Sequence, residues 1–97
     1  FEALEPAEVA RRRADAVILA LPDGAGAPFV EAIEKAAPEK IIIDLSADHR
    51  FNDRWAYGLP ELHRDKIKGS TRIANPGCYA TAMQLSVAPL LPMLGGV

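Results

Sequence analysis

Two short apolar runs with no polar alternation constrain this chain more than anything else in it. Ala16-Val17-Ile18-Leu19-Ala20-Leu21 and Ile41-Ile42-Ile43, which continues into Asp44 and Leu45, are of strand length. Each reads as a strand buried on both faces rather than one with a wet side. Such strands belong to parallel sheets covered by helices, and parallel neighbours need a crossover between them. The intervening residues supply one. Pro22-Asp23-Gly24 closes the first run and Pro28 opens a helix. On it Phe29, Val30, Ile33 and Ala37 share a face while Glu31 and Lys35 pair at i, i+4 on the other, and Pro38 ends it. Strand, helix, strand is a βαβ unit, right-handed in nearly all cases, so the fold class is α/β with a mainly parallel sheet.

The flanking segments extend this plan. Pro6 suits the first position of a helix over residues 7–14. Residues 46–55 form a loop dense in charge at the carboxyl end of the second strand, the edge at which open α/β sheets bind ligands. Tyr57-Gly58-Leu59-Pro60-Glu61-Leu62 reads as a turn with a short helix, Lys68-Gly69 as a further turn, and Thr71-Arg72-Ile73-Ala74 as a third short strand. Tyr79 to Leu91 is expected to form one long helix, apolar almost all round and therefore buried, against a domain these residues lack.

Composition excludes several classes. The 97 residues, 49% hydrophobic and 25% charged with a net charge of −2, describe a soluble domain, one in number. No apolar stretch approaches the ~18 residues that span a bilayer, and residues 1–10 carry no signal-peptide pattern. A cytoplasmic location is the expectation, and the lone cysteine asks for no oxidising compartment. The acidic balance argues against nucleic acid. Arg11-Arg12-Arg13 lacks interleaved aromatics and reads as a solvated helix face. No metal is expected, because His49, His63 and Cys78 lack ligand spacing. Phe1 in place of Met, with a helix-like start, gives the chain the look of a piece of something longer.

Cys78 is the candidate for chemistry. It follows the turn Asn75-Pro76-Gly77 at the start of the last helix, where backbone N–H groups and the helix dipole favour a thiolate. The competing reading is a small buried hydrophobe. His49 and His63 are the candidate bases for a Cys-His dyad, neither placed by spacing. Arg50 has two readings, an internal pair with Asp48 or a grip on a carboxylate or phosphate. Gly24-Ala25-Gly26 echoes a dinucleotide fingerprint but has Phe29 where the third glycine belongs, so it reads as a plain strand-to-helix loop.

Ile73-Ala74-Asn75-Pro76-Gly77-Cys78-Tyr79-Ala80-Thr81-Ala82, with Leu85 and Pro89, resembles the active-site signature of the N-acetyl-gamma-glutamyl-phosphate reductase family of arginine biosynthesis. Asp44-Leu45-Ser46-Ala47-Asp48-His49-Arg50-Phe51, Tyr57-Gly58-Leu59-Pro60-Glu61 and Ala20-Leu21-Pro22-Asp23-Gly24 are similar to further segments of it, in the same order, although His commonly stands where this chain has Asp23. Aspartate-semialdehyde dehydrogenases share the plan but usually have Asn where Gly77 stands. The resemblance implies part of a Rossmann-like NAD(P)-binding domain. Residues 1–97 would be its C-terminal part, with the first βα unit upstream and a catalytic α+β domain, bearing the catalytic His, downstream. It implies NADPH-dependent reduction of the acyl phosphate to the semialdehyde through a thioester on Cys78. Leu21, Pro22, Ser46, Pro76 and Gly77 would flank the cofactor, and Arg50, Asn75 and Gln84 would face the substrate. The parent would be a homo-oligomer. A lysine-pathway reductase of a carrier-linked aminoadipyl phosphate is the nearest rival; a cysteine hydrolase or a non-catalytic α/β module are rivals of other classes.

Overall fold

The computed structural model describes residues 3–93. The apolar runs become β1 (Ala16–Leu19) and β2 (Ile41–Asp44), joined by α2 (Ala27–Ala36). The chain then places β3 (Ala56–Tyr57) at the far edge and returns through α3 (Pro60–Lys68) to insert β4 (Arg72–Ala74) beside β2. The strand order is β1-β2-β4-β3 and every pairing is parallel. The α/β reading and its parallel sheet stand as expected, and so does the Glu31–Lys35 pair, at 3.1 Å.

Register decides where the core lies. Val17 pairs with Ile42, Leu19 with Asp44 and Asp44 with Ala74, so these side chains share one face of the sheet. Ala10 of α1 (Pro6–Arg11), Val30 and Ile33 of α2, and Trp55 pack with Leu19, Ile42 and Ala74 to form the core on that side. Ile33 and Ile42 are fully buried, each contributing roughly 2–3 kcal/mol through the apolar surface it removes from water.

The opposite face corrects the sequence reading. β1 was expected to be buried on both sides, yet Ile18 is 63% exposed, and Ile43 and Ile73 are only half-buried. Among the described residues no helix covers that corner. Two-sided burial is a property of the finished sheet, and the apolar run records it whether or not the covering element is present.

Two buried cations fasten the amino edge of the sheet. Lys40 Nζ donates to the carbonyls of Ala10 (3.2 Å) and Arg12 (2.6 Å), closing α1 three residues short of the expected Ala14. Of the triple-arginine run only Arg11 lies in the helix; all three are exposed. Arg72 Nη1 donates to the carbonyls of Lys40 (2.6 Å) and Thr71 (3.0 Å), and Nη2 to that of Pro38 (3.2 Å). The opposite, carboxyl edge is left for the loops.

The last helix departs most from expectation. It runs as α4 (Cys78–Val87) and gives way to a 3₁₀ segment at Ala88–Met93. Pro89 has no N–H for the Leu85 carbonyl and its ring crowds that turn, so the α-helical ladder stops there. None of its residues is buried: Tyr79, Met83, Leu85 and Val87, then Leu90, Leu91 and Met93, are exposed. The expected burial is not met among the described residues. The extents of 50 × 25 × 20 Å and a radius of gyration of 15.6 Å reflect this projection, against about 12.5 Å for a compact chain of this length.

Candidate functional site

Asp44 organises the carboxyl edge. It ends β2 with its side chain on the core face, 1% exposed, and accepts from the Ser46 N–H (3.0 Å, Oδ1), the Ser46 hydroxyl (2.8 Å, Oδ2) and His49 Nδ1 (2.7 Å, Oδ2). Burial by itself pushes this carboxyl up. The Ser46 N–H, His49 and the Ser46 hydroxyl outweigh it and hold the group below the ordinary carboxylate range. The His49 ring lies flat on the buried Trp55, centroids 3.9 Å apart and planes 13° from parallel. His49, a candidate base, is thus tied into the loop's own framework.

The loops after β1 and β2 are laced together. Asp23 Oδ1 accepts from the Ala47 N–H and Asp48 Oδ2 from the Gly24 N–H, both at 2.8 Å. Gly24 has φ +85°, a conformation that costs a side-chain-bearing residue but not glycine. Gly24-Ala25-Gly26 leads directly into α2 and is the plain strand-to-helix loop expected. With Asp48 so engaged, Arg50 pairs with no acid among the described residues. Its Nε donates to the Asn75 carbonyl (2.9 Å) and Nη2 to the Leu45 carbonyl (3.2 Å), which joins the end of β2 to the turn before Cys78. Nη1 lies against Gly77, where a Cβ would come within 3.1 Å of it. Glycine is therefore the residue that lets this turn and guanidinium meet without a shift.

The predicted positions fall into two groups. Arg50, Asn75 and Gly77 meet at the turn, with Pro76, and deliver Cys78 as the first residue of α4; no side chain caps Gly77, whose carbonyl accepts the first helical bond, from the Thr81 N–H (2.9 Å). Cys78 is exposed among the described residues. Leu21, Pro22 and Ser46 lie further along the edge. Leu21 is half-buried against the core, Pro22 is exposed and its carbonyl accepts from the Ala25 N–H (3.0 Å), and the Ser46 hydroxyl is committed to Asp44 and the Asp48 N–H. Gln84 lies six residues beyond Cys78, about 9 Å along α4, and donates to Tyr57 Oη at 2.9 Å. These last residues line a cleft of about 510 Å³ with Ala47, Arg50, Phe51, His63, Ala80 and Met83. His63 packs edge-on to Tyr57 there, and among the described residues neither histidine is hydrogen-bonded to Cys78.

Sequence reasoning passed over Asp44 and Tyr57 as functional residues. For Asp44 a signal existed: a lone acid closing a buried apolar run, followed by Leu-Ser, is an Asx-turn pattern. Nothing in spacing marks Tyr57, which matters only through a helix that reaches it from 27 positions away.

The family model for the NAD-binding domain of semialdehyde dehydrogenase matches residues 1–70. The chain belongs to that family. Over 96 residues it is 62% identical to the N-acetyl-gamma-glutamyl-phosphate reductase of Xylella fastidiosa (strain M23) and 60% identical to that of Xanthomonas euvesicatoria pv. vesicatoria (strain 85-10). The identity is 57% to that of Stenotrophomonas maltophilia (strain R551-3). Each alignment covers 99% of this chain but only 29% or 30% of the relative, so the chain spans under a third of their length. The family resemblance drawn from the motifs is thus shown, as is a domain of a nicotinamide-dinucleotide-binding type. Residues of this chain fit one flank of such a cofactor. Gly24 is open above its Cα, and the apolar Leu21 and Pro22 border the same edge. A glycine-rich phosphate loop is not among them. Among the described residues no cluster of three metal-ligating side chains occurs, and no helix is long and apolar enough to cross a membrane.

Proposed function

We propose that the parent protein is an NADPH-dependent N-acetyl-gamma-glutamyl-phosphate reductase acting in arginine biosynthesis in the cytoplasm, and that Cys78 is its nucleophile. The observation that carries this reading is the turn: Arg50 and Gly77 hold an exposed cysteine at the first position of α4, at the carboxyl edge of a parallel sheet. The reductases named above, identical at 57–62% of positions, support the substrate.

In this reading the Cys78 thiolate attacks the γ-carbonyl of the acyl phosphate, the C–O bond to phosphate breaks and inorganic phosphate leaves. The result is a thioester, and the helix N-terminus offers N–H groups to the oxyanion formed on the way. A dinucleotide bound there would supply the hydride, the C–S bond of the thioester breaking to return Cys78 as a thiolate as the aldehyde leaves. Leu21, Pro22, Ser46, Pro76 and Gly77 border its place. Arg50 keeps Nη1 free of the two carbonyls it braces and presents it to the phosphate; Asn75 and Gln84 complete the substrate side. The general acid comes from the α+β domain of the parent, since His49 is held by Asp44 and Trp55. Residues 1–97 then form the C-terminal part of the cofactor domain, with the phosphate-binding βα unit before them, and subunits associate through the α+β domain.

The test is phosphate-dependent NADP⁺ reduction by the full-length parent, offered N-acetylglutamate semialdehyde and the carrier-linked aminoadipate semialdehyde. Turnover of the first and not the second supports the assignment. Turnover of only the second moves the protein to the lysine-pathway reductases, and NAD⁺ used as well as NADP⁺ overturns the cofactor preference.

A further inference from the structure

The loops after β1 and β2 are joined by a reciprocal pair of hydrogen bonds that takes over where the strands stop pairing. The strand register ends at Leu19 and Asp44, and the last backbone bond between them runs from the Leu45 N–H to the Leu19 carbonyl (3.0 Å). Asp23 and Asp48 lie four residues beyond Leu19 and Asp44, respectively. Each carboxylate accepts from the backbone of the other loop, Asp23 Oδ1 from the Ala47 N–H and Asp48 Oδ2 from the Gly24 N–H, both at 2.8 Å. Among the described residues no other hydrogen bond joins residues 20–26 to residues 46–50. The pair is anchored on the buried end of β2, because the Asp48 N–H donates to Ser46 Oγ (3.2 Å), whose own proton goes to Asp44 (2.8 Å). Both Asp23 and Asp48 are exposed. Acids on neighbouring loops repel one another, so charge alone would part these two, and the charge-assisted bonds to the opposite backbone hold them together instead.

We propose that Asp23 and Asp48 are positioning residues that hold the two loops at the spacing a nicotinamide dinucleotide requires. Leu21 and Pro22 stand just before Asp23, and Ser46 just before Ala47. The two bonds therefore fix the relative placement of residues that border the cofactor in the reading above, on which this inference rests. Their role runs through the loops, which are set before the cofactor arrives, so that binding does not have to order them. The charges by themselves act the other way, since carboxylates at the rim of a site weaken a polyanionic ligand. Geometry and charge are thus separable by substitution.

The experiment uses the full-length parent and two double variants, Asp23→Ala with Asp48→Ala and Asp23→Asn with Asp48→Asn; thermal unfolding confirms that each is folded. The Asn pair removes both charges and keeps an acceptor oxygen in each place. In the absence of cofactor, backbone hydrogen exchange over residues 22–26 and 46–50 is expected to quicken in the Ala pair and to stay near wild type in the Asn pair. By calorimetry, with no aldehyde present, the Ala pair is expected to bind NADP⁺ about tenfold more weakly than wild type, and the Asn pair as tightly as wild type or more tightly. Unchanged or tighter binding by the Ala pair, or equal weakening in both pairs, overturns this inference and leaves the reductase reading standing. Unchanged exchange in the Ala pair overturns it as well. A folded wild type that binds no NADP⁺ overturns this inference and the cofactor reading together.

Discussion

At the scale of single residues, Asp44 and the Arg50–Gly77 contact do the positioning. The Asp44 carboxyl is held below its ordinary range in the folded state, so its contribution to stability is present above about pH 4 and fades as pH falls through the lowered value. Asp44→Asn should cost about 1–3 kcal/mol near neutrality by removing the charge-assisted acceptor. The gap between wild type and variant should narrow as pH is taken from 5 towards 2, as urea unfolding at each pH will show; a gap independent of pH would mean the carboxylate is not the stabilising form. The contact beneath the turn predicts coupling. Gly77→Ala places a Cβ 3.1 Å from Arg50 Nη1 and should destabilise by about 1 kcal/mol, with a changed rate of Cys78 alkylation. In an Arg50→Lys background, where that nitrogen is gone, the cost of Gly77→Ala should largely disappear. Additive effects in this double-mutant cycle would show that the two residues act independently.

At the scale of elements, the interruption of α4 is a proline effect and can be tested as one. Pro89→Ala restores an N–H opposite the Leu85 carbonyl and should extend the α-helix beyond Val87, seen as a gain in far-UV helicity; unchanged helicity would mean that Pro92 or the segment's packing ends the helix instead. The legibility of the chain follows the same logic. β1 and β2 were readable as continuous apolar runs bounded by turn residues, and α2 by an apolar face at helical spacing. β3 was not, because two residues, Ala56 and Tyr57, have no period, and their strand exists only through pairing with Ile73 and Ala74. The site divides similarly. Cys78, Asn75 and Gly77 stand together in one local turn and could be read as a unit, whereas the roles of Arg50 and Tyr57 depend on residues 25 and 27 positions away, respectively. Ile18 and α4 were read as buried from their apolar composition, yet both are exposed among the described residues.

At the scale of the whole molecule, the chain spans under a third of the length of the relatives it matches. In the proposed reading it holds the nucleophile's turn and one flank of the cofactor cleft, while α4 and the 3₁₀ segment expose Tyr79, Met83, Leu90, Leu91 and Met93. Residues 1–97 alone should therefore show neither tight NADPH binding by calorimetry nor turnover; a Cys78-dependent rate from this segment would place the whole catalytic centre within it. The most direct test of the central claim is to mix the full-length parent with N-acetyl-gamma-glutamyl phosphate in the absence of reduced cofactor, quench with acid, and map the adduct by mass spectrometry while counting the phosphate released. The account predicts a burst of one phosphate per subunit and a hydroxylamine-sensitive N-acetylglutamyl thioester on Cys78, both lost in Cys78→Ser. A burst that survives Cys78→Ser, or an adduct on any other residue, would contradict it.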